Sequence, residues 1–162
     1  MIYVTLGTMF LDFGRLVRAV DAIAADTPEQ VVVQLGMART IPAHCGWFRF
    51  KPAEELLEWQ RHARVIVAHA GIGAALDALR AGRPLVMVPR RKQYGEHMND
   101  HQVDIAGAVA RRGWGRMILD IDELAAVVAE PPPAPANYRP ARAPLVAAVR
   151  EMVQRVAAEK GR

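Results

Sequence analysis

The sequence predicts an α/β fold built on a Rossmann-like, doubly wound parallel sheet. Short apolar runs of strand length alternate with segments of helical periodicity along most of the 162-residue chain. Two of these runs, Val65–Ala68 and Leu85–Val88, are apolar at every position, which is typical of strands buried on both faces of a parallel sheet. The length supports one core, so we expect a single domain over residues 1–130.

The first elements are recognised by their periodicity. Mostly apolar runs predict strands at Ile2–Leu6 and Val31–Leu35. Between these strands, apolar side chains recur at helical spacing over Phe13–Ala25, which predicts a helix. Asp12 stands directly before this helix, and we expect its carboxylate to cap the N-terminus.

Turn residues separate the elements that follow. Alternation in Trp47–Phe50 predicts a third strand, and Pro52 is expected to begin a helix that ends near His62. Beyond the central segment described next, the remaining elements are a helix from about Met98 to Arg111, a short strand at Arg116–Leu119 and a helix at Ile121–Ala129.

The central segment, Val65–Pro89, combines a strand, a glycine turn, a helix and a second strand. Gly71 and Gly73 would let the backbone turn sharply and let a ligand approach the main chain. The free amides and the positive dipole end of the helix suit a phosphate, and Asp77 offers a carboxylate to ribose hydroxyls. A glycine turn of this kind also occurs in purely structural connections, so both interpretations stay open.

The next loop is long and polar. Residues 89–102 contain almost no aliphatic side chain, and a loop of this kind is usually functional or disordered. It follows the carboxyl end of a predicted parallel strand, the edge at which open α/β sheets bind ligands. Arg90 lies in a small basic patch that would hold an anion or be solvated. The groups able to bind hydroxyls are Glu96, His97, Asn99, Asp100, His101 and Gln102. The alternative is a solvated helix start, capped by Asn99 or Asp100.

Several of these motifs resemble the C-terminal domain of glycosyltransferase family 28. The resemblance covers roughly residues 1–120 and is greatest to stand-alone members, which include catalytic subunits of dolichol-linked N-acetylglucosaminyltransferases and bacterial exopolysaccharide glucuronosyltransferase subunits. The matching segments are Ile2–Thr8, His69–Gly73, Asp77–Pro84, Val88–Pro89 and Tyr94–Gln102.

The resemblance implies the C-terminal half of a GT-B glycosyltransferase. Such a chain is the donor-binding catalytic subunit of a two-chain inverting enzyme, which moves a sugar from a UDP-sugar to a lipid-linked prenyl-diphosphate acceptor. The acceptor would be held by a membrane-anchored partner, so this chain would be cytoplasmic and peripheral at the inner face of the membrane. The sugar is left open among N-acetylglucosamine, glucuronate and glucose.

The same resemblance implies roles for individual residues. Gly7 and Thr8 would line the pyrophosphate, and Asp77 would take the ribose. The turn that would meet the donor phosphate and sugar comprises His69, Ala70, Gly71 and Gly73. The residues that would read the sugar hydroxyls are Glu96, His97, Asn99, Asp100, His101 and Gln102, with Arg90 beside them.

Two positions depart from the family pattern. Asp77 stands where Glu is common, and Ala74 stands where a hydroxyl residue often follows the second glycine, so backbone N–H groups would replace one phosphate contact. These departures leave a second function open, a non-catalytic nucleotide-sugar-binding accessory subunit of another transferase. A Rossmann-type oxidoreductase is disfavoured, because the turn after Leu6 lacks the Gly-x-Gly-x-x-Gly fingerprint.

Composition narrows the classes of partner and compartment. The net charge is +4, but the basic residues are scattered and aromatics are only 6%, so no nucleic-acid partner is expected. The excess charge suits an anionic substrate or an anionic leaflet reached through a partner. The single cysteine, Cys45, excludes an intrachain disulfide and is consistent with the reducing cytoplasm. Neither a signal peptide nor an apolar run of membrane-spanning length is recognised.

The expected chemistry needs no metal and no cofactor. No His/Cys cluster at ligand spacing is recognised in the chain. Helix amides and basic side chains would stabilise the leaving diphosphate instead. The general base is unassigned; His97 and His101 are candidates because of their intrinsic pKa, and the partner chain is the alternative source.

The C-terminal part differs in composition from the rest. Six prolines within residues 131–144 exclude a helix or a central strand, so this segment is predicted to be a Pro-rich linker. Residues 145–162 carry apolar side chains at helical spacing, which predicts an amphipathic helix. Its apolar stripe would pack either on its own domain or on a partner.

Overall fold

The computed structural model describes residues 1–136 and 138, which form six strands and five α-helices. Short 3-10 segments precede α4 and α5 at Lys92–Tyr94 and Ile121–Glu123. In chain order the elements are β1 (Ile2–Thr5), α1 (Gly14–Asp26), β2 (Val31–Gln34), β3 (Gly46–Phe48), α2 (Ala53–His62), β4 (Val65–His69), α3 (Ile72–Ala81), β5 (Leu85–Val88), α4 (His101–Arg111), β6 (Arg116–Met117) and α5 (Leu124–Ala129).

The six strands form one parallel sheet in the order β3-β2-β1-β4-β5-β6. β1 is central: Val4 is in register with Val33 of β2 on one side and with Val67 of β4 on the other. The strand order reverses at β1, so the connections on its two sides diverge and open a crevice at the carboxyl edge. The predicted Rossmann-like, doubly wound fold is therefore confirmed.

Helices cover both faces of the sheet, which explains why the central strands are apolar throughout. Along β1, Ile2 and Val4 join the core beneath α1 and α5, whereas Tyr3 points to the opposite core. That second core is completed by buried side chains of α3 and α4, such as Leu79 and Val109. Because alternate residues enter different cores, no strand position at the centre is left for a solvated side chain.

Four local expectations were wrong in detail. The side chain of Asp12 does not cap α1; it instead accepts hydrogen bonds from the backbone N–H groups of Arg39 and Thr40, at 2.9 and 3.2 Å. β3 ends at Phe48, before the predicted boundary. α4 begins at His101 rather than near Met98, and the segment predicted as one helix after Asp120 divides into a 3-10 turn and α5.

The described part of the Pro-rich segment, residues 131–136 and 138, contains no helix or strand. Tyr138 lies edge-on against Trp114, with ring centroids 5.4 Å apart. The helix expected at 145–162 lies outside the described residues. No helix among the described residues has the length and apolar composition needed to cross a lipid bilayer.

An ion pair connects the amino ends of the strands on either side of β1. Glu29 precedes β2 and Arg64 precedes β4, and the guanidinium donates to both carboxylate oxygens at 2.7–3.0 Å. The Arg64 guanidinium lowers the pKa of Glu29 to about 2, against an ordinary value of 4.5. The charged form of Glu29 is therefore favoured in the folded state.

We expect Glu29→Gln to lower the free energy of unfolding by about 1 kcal/mol near neutral pH, because Arg64 loses its anionic partner. The folded-state pKa is depressed, so the contribution of Glu29 is complete above pH 4.5 and is lost as the pH falls towards 2. Urea unfolding at about pH 7 and about pH 3 measures this, and the difference between the two proteins should shrink at the lower pH. Glu123→Gln, which breaks the half-exposed pair with Arg116, is the matched control. A difference that does not change with pH would contradict the assignment.

Candidate functional site

A cleft of about 330 Å³ lies at the carboxyl edge of the sheet, where the strand order reverses. Its volume is within the range of small-molecule sites. The cleft is lined by Thr5, Gly7, Thr8, Gln34, Leu56, Gln60, His69, Gly73, Ala74 and Asp77. Five of the sequence-predicted residues are therefore brought together, although they come from two separate segments of the chain.

The His69 ring is enclosed by two glycines. Gly7 has φ +72°, a left-handed conformation, and a side chain there would collide with the ring. A Cβ at Gly71 would also strike the ring, although Gly71 has φ −74°, which any residue adopts. Gly71 thus makes room for the imidazole rather than for a sharp turn. Gly73 has no atom near its Cβ position and opens the cleft above α3.

The protonation of His69 follows from its surroundings. Nδ1 lies 3.3 Å from the carbonyl oxygen of Thr5, and since a carbonyl only accepts, Nδ1 carries the proton and donates. Burial, followed by the nearby charges of Arg90 and His97, lowers the pKa of His69 to about 4. His69 is therefore neutral near pH 7, and its Nε2 is a hydrogen-bond acceptor.

The N-terminus of α3 supplies donors to the cleft. No side chain caps this helix, and its first intrahelical bond runs from the N–H of Ala75 to the carbonyl of Gly71, at 3.0 Å. The amides of the first turn, including those of Gly73 and Ala74, have no partner within the helix. Such amides bind anions. Asp77 lies one turn further along and is exposed, with its carboxylate 3.0 Å from the Arg80 guanidinium.

The floor of the cleft is polar, a feature that sequence reasoning missed. Thr5 ends β1 and Gln34 ends β2, and the Thr5 hydroxyl donates to the Gln34 Oε1 at 2.5 Å. Both side chains are buried, as is Gln60 on the α2 wall. The available signal was the polar last residue of two otherwise apolar strands, because that position falls at the carboxyl edge of a parallel sheet.

Part of the loop at 89–102 turns inward. Arg90 is fully buried, and its guanidinium donates only to backbone carbonyls. The Glu96 carboxylate accepts from the Arg15 guanidinium at 2.9 and 3.0 Å and from the N–H of Arg91. The Oε1 of buried Gln102 accepts from the N–H of Arg90 at 3.0 Å. In this structure, therefore, these three residues, which were predicted to contact the ligand, form hydrogen bonds within the protein. They do so because the buried polar groups of a long loop need hydrogen-bond partners.

The remaining loop residues lie at the surface. The rings of His97 and His101 meet edge-on, with centroids 4.5 Å apart, and the Nδ1 of His101 contacts the Oδ1 of Asn99. Burial, then the charges of His101 and Arg90, lowers the pKa of His97. Asp100 is exposed, and its Oδ1 accepts from the N–H of Lys92 at 2.9 Å. Ala70, by contrast, is fully buried beneath the turn.

The cleft can therefore hold an anion and a hydroxyl-bearing group side by side. Its lining includes the first turn of α3, whose amides are uncapped, the Gly7–Thr8 turn and Asp77. The neutral His69 imidazole separates the two glycine turns and offers an acceptor.

Sequence comparison matches the chain to one family. The profile of the glycosyltransferase family 28 C-terminal domain matches residues 1–156. Similar proteins include the UDP-N-acetylglucosamine transferase subunit ALG13 of Homo sapiens, 28% identical over 69% of this chain. The protein of the same name from Yarrowia lipolytica is 35% identical over 39% of this chain. This chain spans only 10% of the human protein and 30% of the yeast one.

Solved structures share the fold. The calicheamicin glycosyltransferase CalG4 is 26% identical, with a TM-score of 0.60 over 95% of this chain and 37% of its own. SnogD from Streptomyces nogalater is 25% identical, with a TM-score of 0.51 over 72% of this chain and 30% of its own. Acinetobacter baumannii MurG, 17% identical with a TM-score of 0.55 over 79% of this chain and 40% of its own, shares the fold alone. The chain belongs to the glycosyltransferase family 28 C-terminal domain family, and its fold is that of the C-terminal half of a GT-B glycosyltransferase.

Proposed function

We propose that the chain is the donor-binding catalytic subunit of a two-chain inverting glycosyltransferase. It would move a sugar from a UDP-sugar to a lipid-linked, prenyl-diphosphate acceptor. One observation carries the proposal: the cleft at the strand-order reversal sets the uncapped amides of α3 beside the Asp77 carboxylate. A nucleoside diphosphate has the matching pair of groups, an anionic diphosphate and a ribose diol.

The proposed pose follows from these groups. The diphosphate lies against the first-turn amides of α3, including those of Gly73 and Ala74, with the Gly7–Thr8 turn opposite. Backbone N–H groups suffice there, so the missing hydroxyl at Ala74 is not required. Asp77 accepts from the ribose hydroxyls, and its exposed position leaves it free to exchange the Arg80 contact for the ligand.

The reaction in this pose is a single displacement. An acceptor oxygen bonds to the anomeric carbon as the bond from that carbon to the diphosphate oxygen breaks, and UDP leaves with the electron pair. The amides of α3 stabilise the charge that grows on the diphosphate. The acceptor proton passes to a base, either His97 or His101 at the surface of the loop or a group of the partner chain. His69 is neutral, so it does not neutralise the phosphate charge. It either accepts a hydrogen bond from a hydroxyl group of the donor or positions the turn.

A second chain is proposed for two reasons. The first is that the similar ALG13 proteins are named as subunits. The loops at the carboxyl edge and the first turn of α3 carry large apolar side chains that are 55–70% exposed, namely Phe10, Ile72, Tyr94 and Met98. Such an apolar rim suits an acceptor-binding partner that is anchored in the membrane. The net charge of +4 favours a peripheral position at an anionic inner leaflet.

A non-catalytic accessory subunit is the second candidate. The inward orientation of Arg90, Glu96 and Gln102 favours it, because fewer loop side chains are then free to read a sugar. Both candidates bind a UDP-sugar, so donor binding alone does not separate them. Sugar transfer does.

We expect Asp77→Ala to weaken UDP binding about 10-fold to 100-fold, since two hydroxyls lose a charged acceptor. Isothermal titration of the full chain with UDP measures this. Arg80→Ala is the matched control, because it removes the same ion pair and keeps the carboxylate. Asp77→Glu should retain binding. Unchanged affinity in Asp77→Ala would place the ribose elsewhere.

We expect sugar transfer only when the chain is combined with native membranes, which supply lipid-linked acceptors and membrane-anchored proteins. Radiolabelled UDP-N-acetylglucosamine, UDP-glucuronate and UDP-glucose are each supplied, and label in the lipid extract is counted. Transfer with Asp77→Ala should fall with its loss of donor affinity. Transfer to an added prenyl-diphosphate acceptor without membranes would contradict the two-chain arrangement. Full transfer with Asp77→Ala would support the accessory candidate.

A further inference from the structure

Arg90 is the largest of the fully buried side chains among the described residues. It stands in the loop after β5, with its guanidinium 4.6 Å from the centroid of the Phe13 ring. The guanidinium donates to the carbonyl oxygens of Leu6 at 3.0 Å, Leu11 at 2.9 Å, Asp12 at 3.1 Å and Glu96 at 3.3 Å. None of these four acceptors is a carboxylate.

A buried cation without a directly bonded carboxylate is costly, since the charge leaves water for a medium of lower dielectric constant. Packing alone does not require it, because an apolar side chain of similar volume fills the same space. The planar fork of arginine can bond several carbonyls at fixed angles at once, which neither an apolar side chain nor a lysine can do. The four carbonyls are therefore the feature that needs Arg90.

These carbonyls belong to two loops. Leu6, Leu11 and Asp12 lie in the loop from β1 to α1, whereas Glu96 lies in the loop from β5 to α4. The Arg15 guanidinium adds a second connection between α1 and the same loop, through Pro89 O at 3.1 Å and the Glu96 carboxylate.

The connection extends to a third loop through Asp12. Its carbonyl accepts from Arg90, while its carboxylate accepts from the N–H groups of Arg39 and Thr40 and from the Thr40 hydroxyl at 2.6 Å. The loop after β2 is thus tied to the loop after β1, which Arg90 ties to the loop after β5. Three of the loops at the carboxyl edge form one hydrogen-bonded unit.

Two of the bonded carbonyls adjoin candidate site residues. Gly7 directly follows Leu6, and His97 directly follows Glu96. A shift of the Leu6 carbonyl would move the turn at Gly7, and a shift of the Glu96 carbonyl would move the His97 imidazole. Either shift would change the distance between the turn and the imidazole. The guanidinium is buried, so it acts on a ligand only through these neighbours.

We propose that Arg90 is the positioning residue of the donor site, and that its guanidinium fixes the spacing between the Gly7–Thr8 turn and the loop carrying His97 without contacting the donor. The inference rests on the proposed function for its second half, the effect on donor binding. The coupling of the two loops stands on the hydrogen bonds alone.

The first arm of the test is amide hydrogen exchange on the full-length chain. Arg90→Lys keeps the charge but loses the planar fork, and Arg90→Met fills the space without a charge. If one of these variants does not fold, the other is used for the same measurement. We expect exchange at least about tenfold faster in residues 6–13 and also in residues 91–101, with β1, β4 and β5 unchanged. Arg111→Lys, an exposed arginine at the end of α4, is the control. Faster exchange in neither loop, or only in the loop that carries residue 90, overturns the coupling.

The second arm is UDP affinity by calorimetry with the same proteins. We expect Arg90→Lys to raise Kd about tenfold at a temperature where the protein is still folded, and Arg111→Lys to leave Kd unchanged. Coupled loops with an unaltered Kd overturn the positioning role. If the unmodified chain does not bind UDP, the proposed function fails, and the exchange arm still decides whether Arg90 couples the loops.

Discussion

The reversal of strand order at β1 is the constraint on which the site depends. β1 pairs with β2 on one side and with β4 on the other. The chain leaves β1 for α1 and β4 for α3, and these two helices lie on opposite faces of the sheet. A cleft opens between the diverging connections without any inserted segment. The last residues of these three strands, Thr5, Gln34 and His69, are carried to its floor and wall, which is why they are polar although the strands are apolar.

A second constraint keeps the loops around this cleft in register. Arg90 ties the loops after β1 and β5 through backbone carbonyls, and its charge helps to keep the enclosed His69 imidazole neutral. Gly7 and Gly71 then admit that imidazole between two turns of the backbone. The polar surface of the cleft therefore comes chiefly from the main chain and from uncharged side chains, with Asp77 as its acidic contribution.

Much of this arrangement could be predicted from sequence, where local pattern decides the structure. The strands at 65–88 are recognisable because burial on both faces leaves no polar position, and Gly7, His69 and Asp77 converge because the carboxyl ends of parallel strands share an edge. The direction in which a polar side chain points is not determined by its sequence neighbours. The polarity of Arg90 was evident, but its acceptors lie as far away as Leu6, 84 positions earlier in sequence. The Asp12 carboxylate likewise does not cap the helix that follows it; it accepts hydrogen bonds from backbone amides 27 and 28 positions later.

The most direct measurement is a titration of the 15N-labelled chain with UDP, followed by the backbone amide resonances. If the cleft holds the nucleotide diphosphate, the amides of Gly7, Thr8, Gly73 and Ala74 should shift together and saturate at one concentration. The amides of Ala22 and Ala125, which line a separate groove between α1 and α5, should not shift. No shift at saturating UDP, or shifts confined to that groove, would contradict the assignment of the cleft as the donor site.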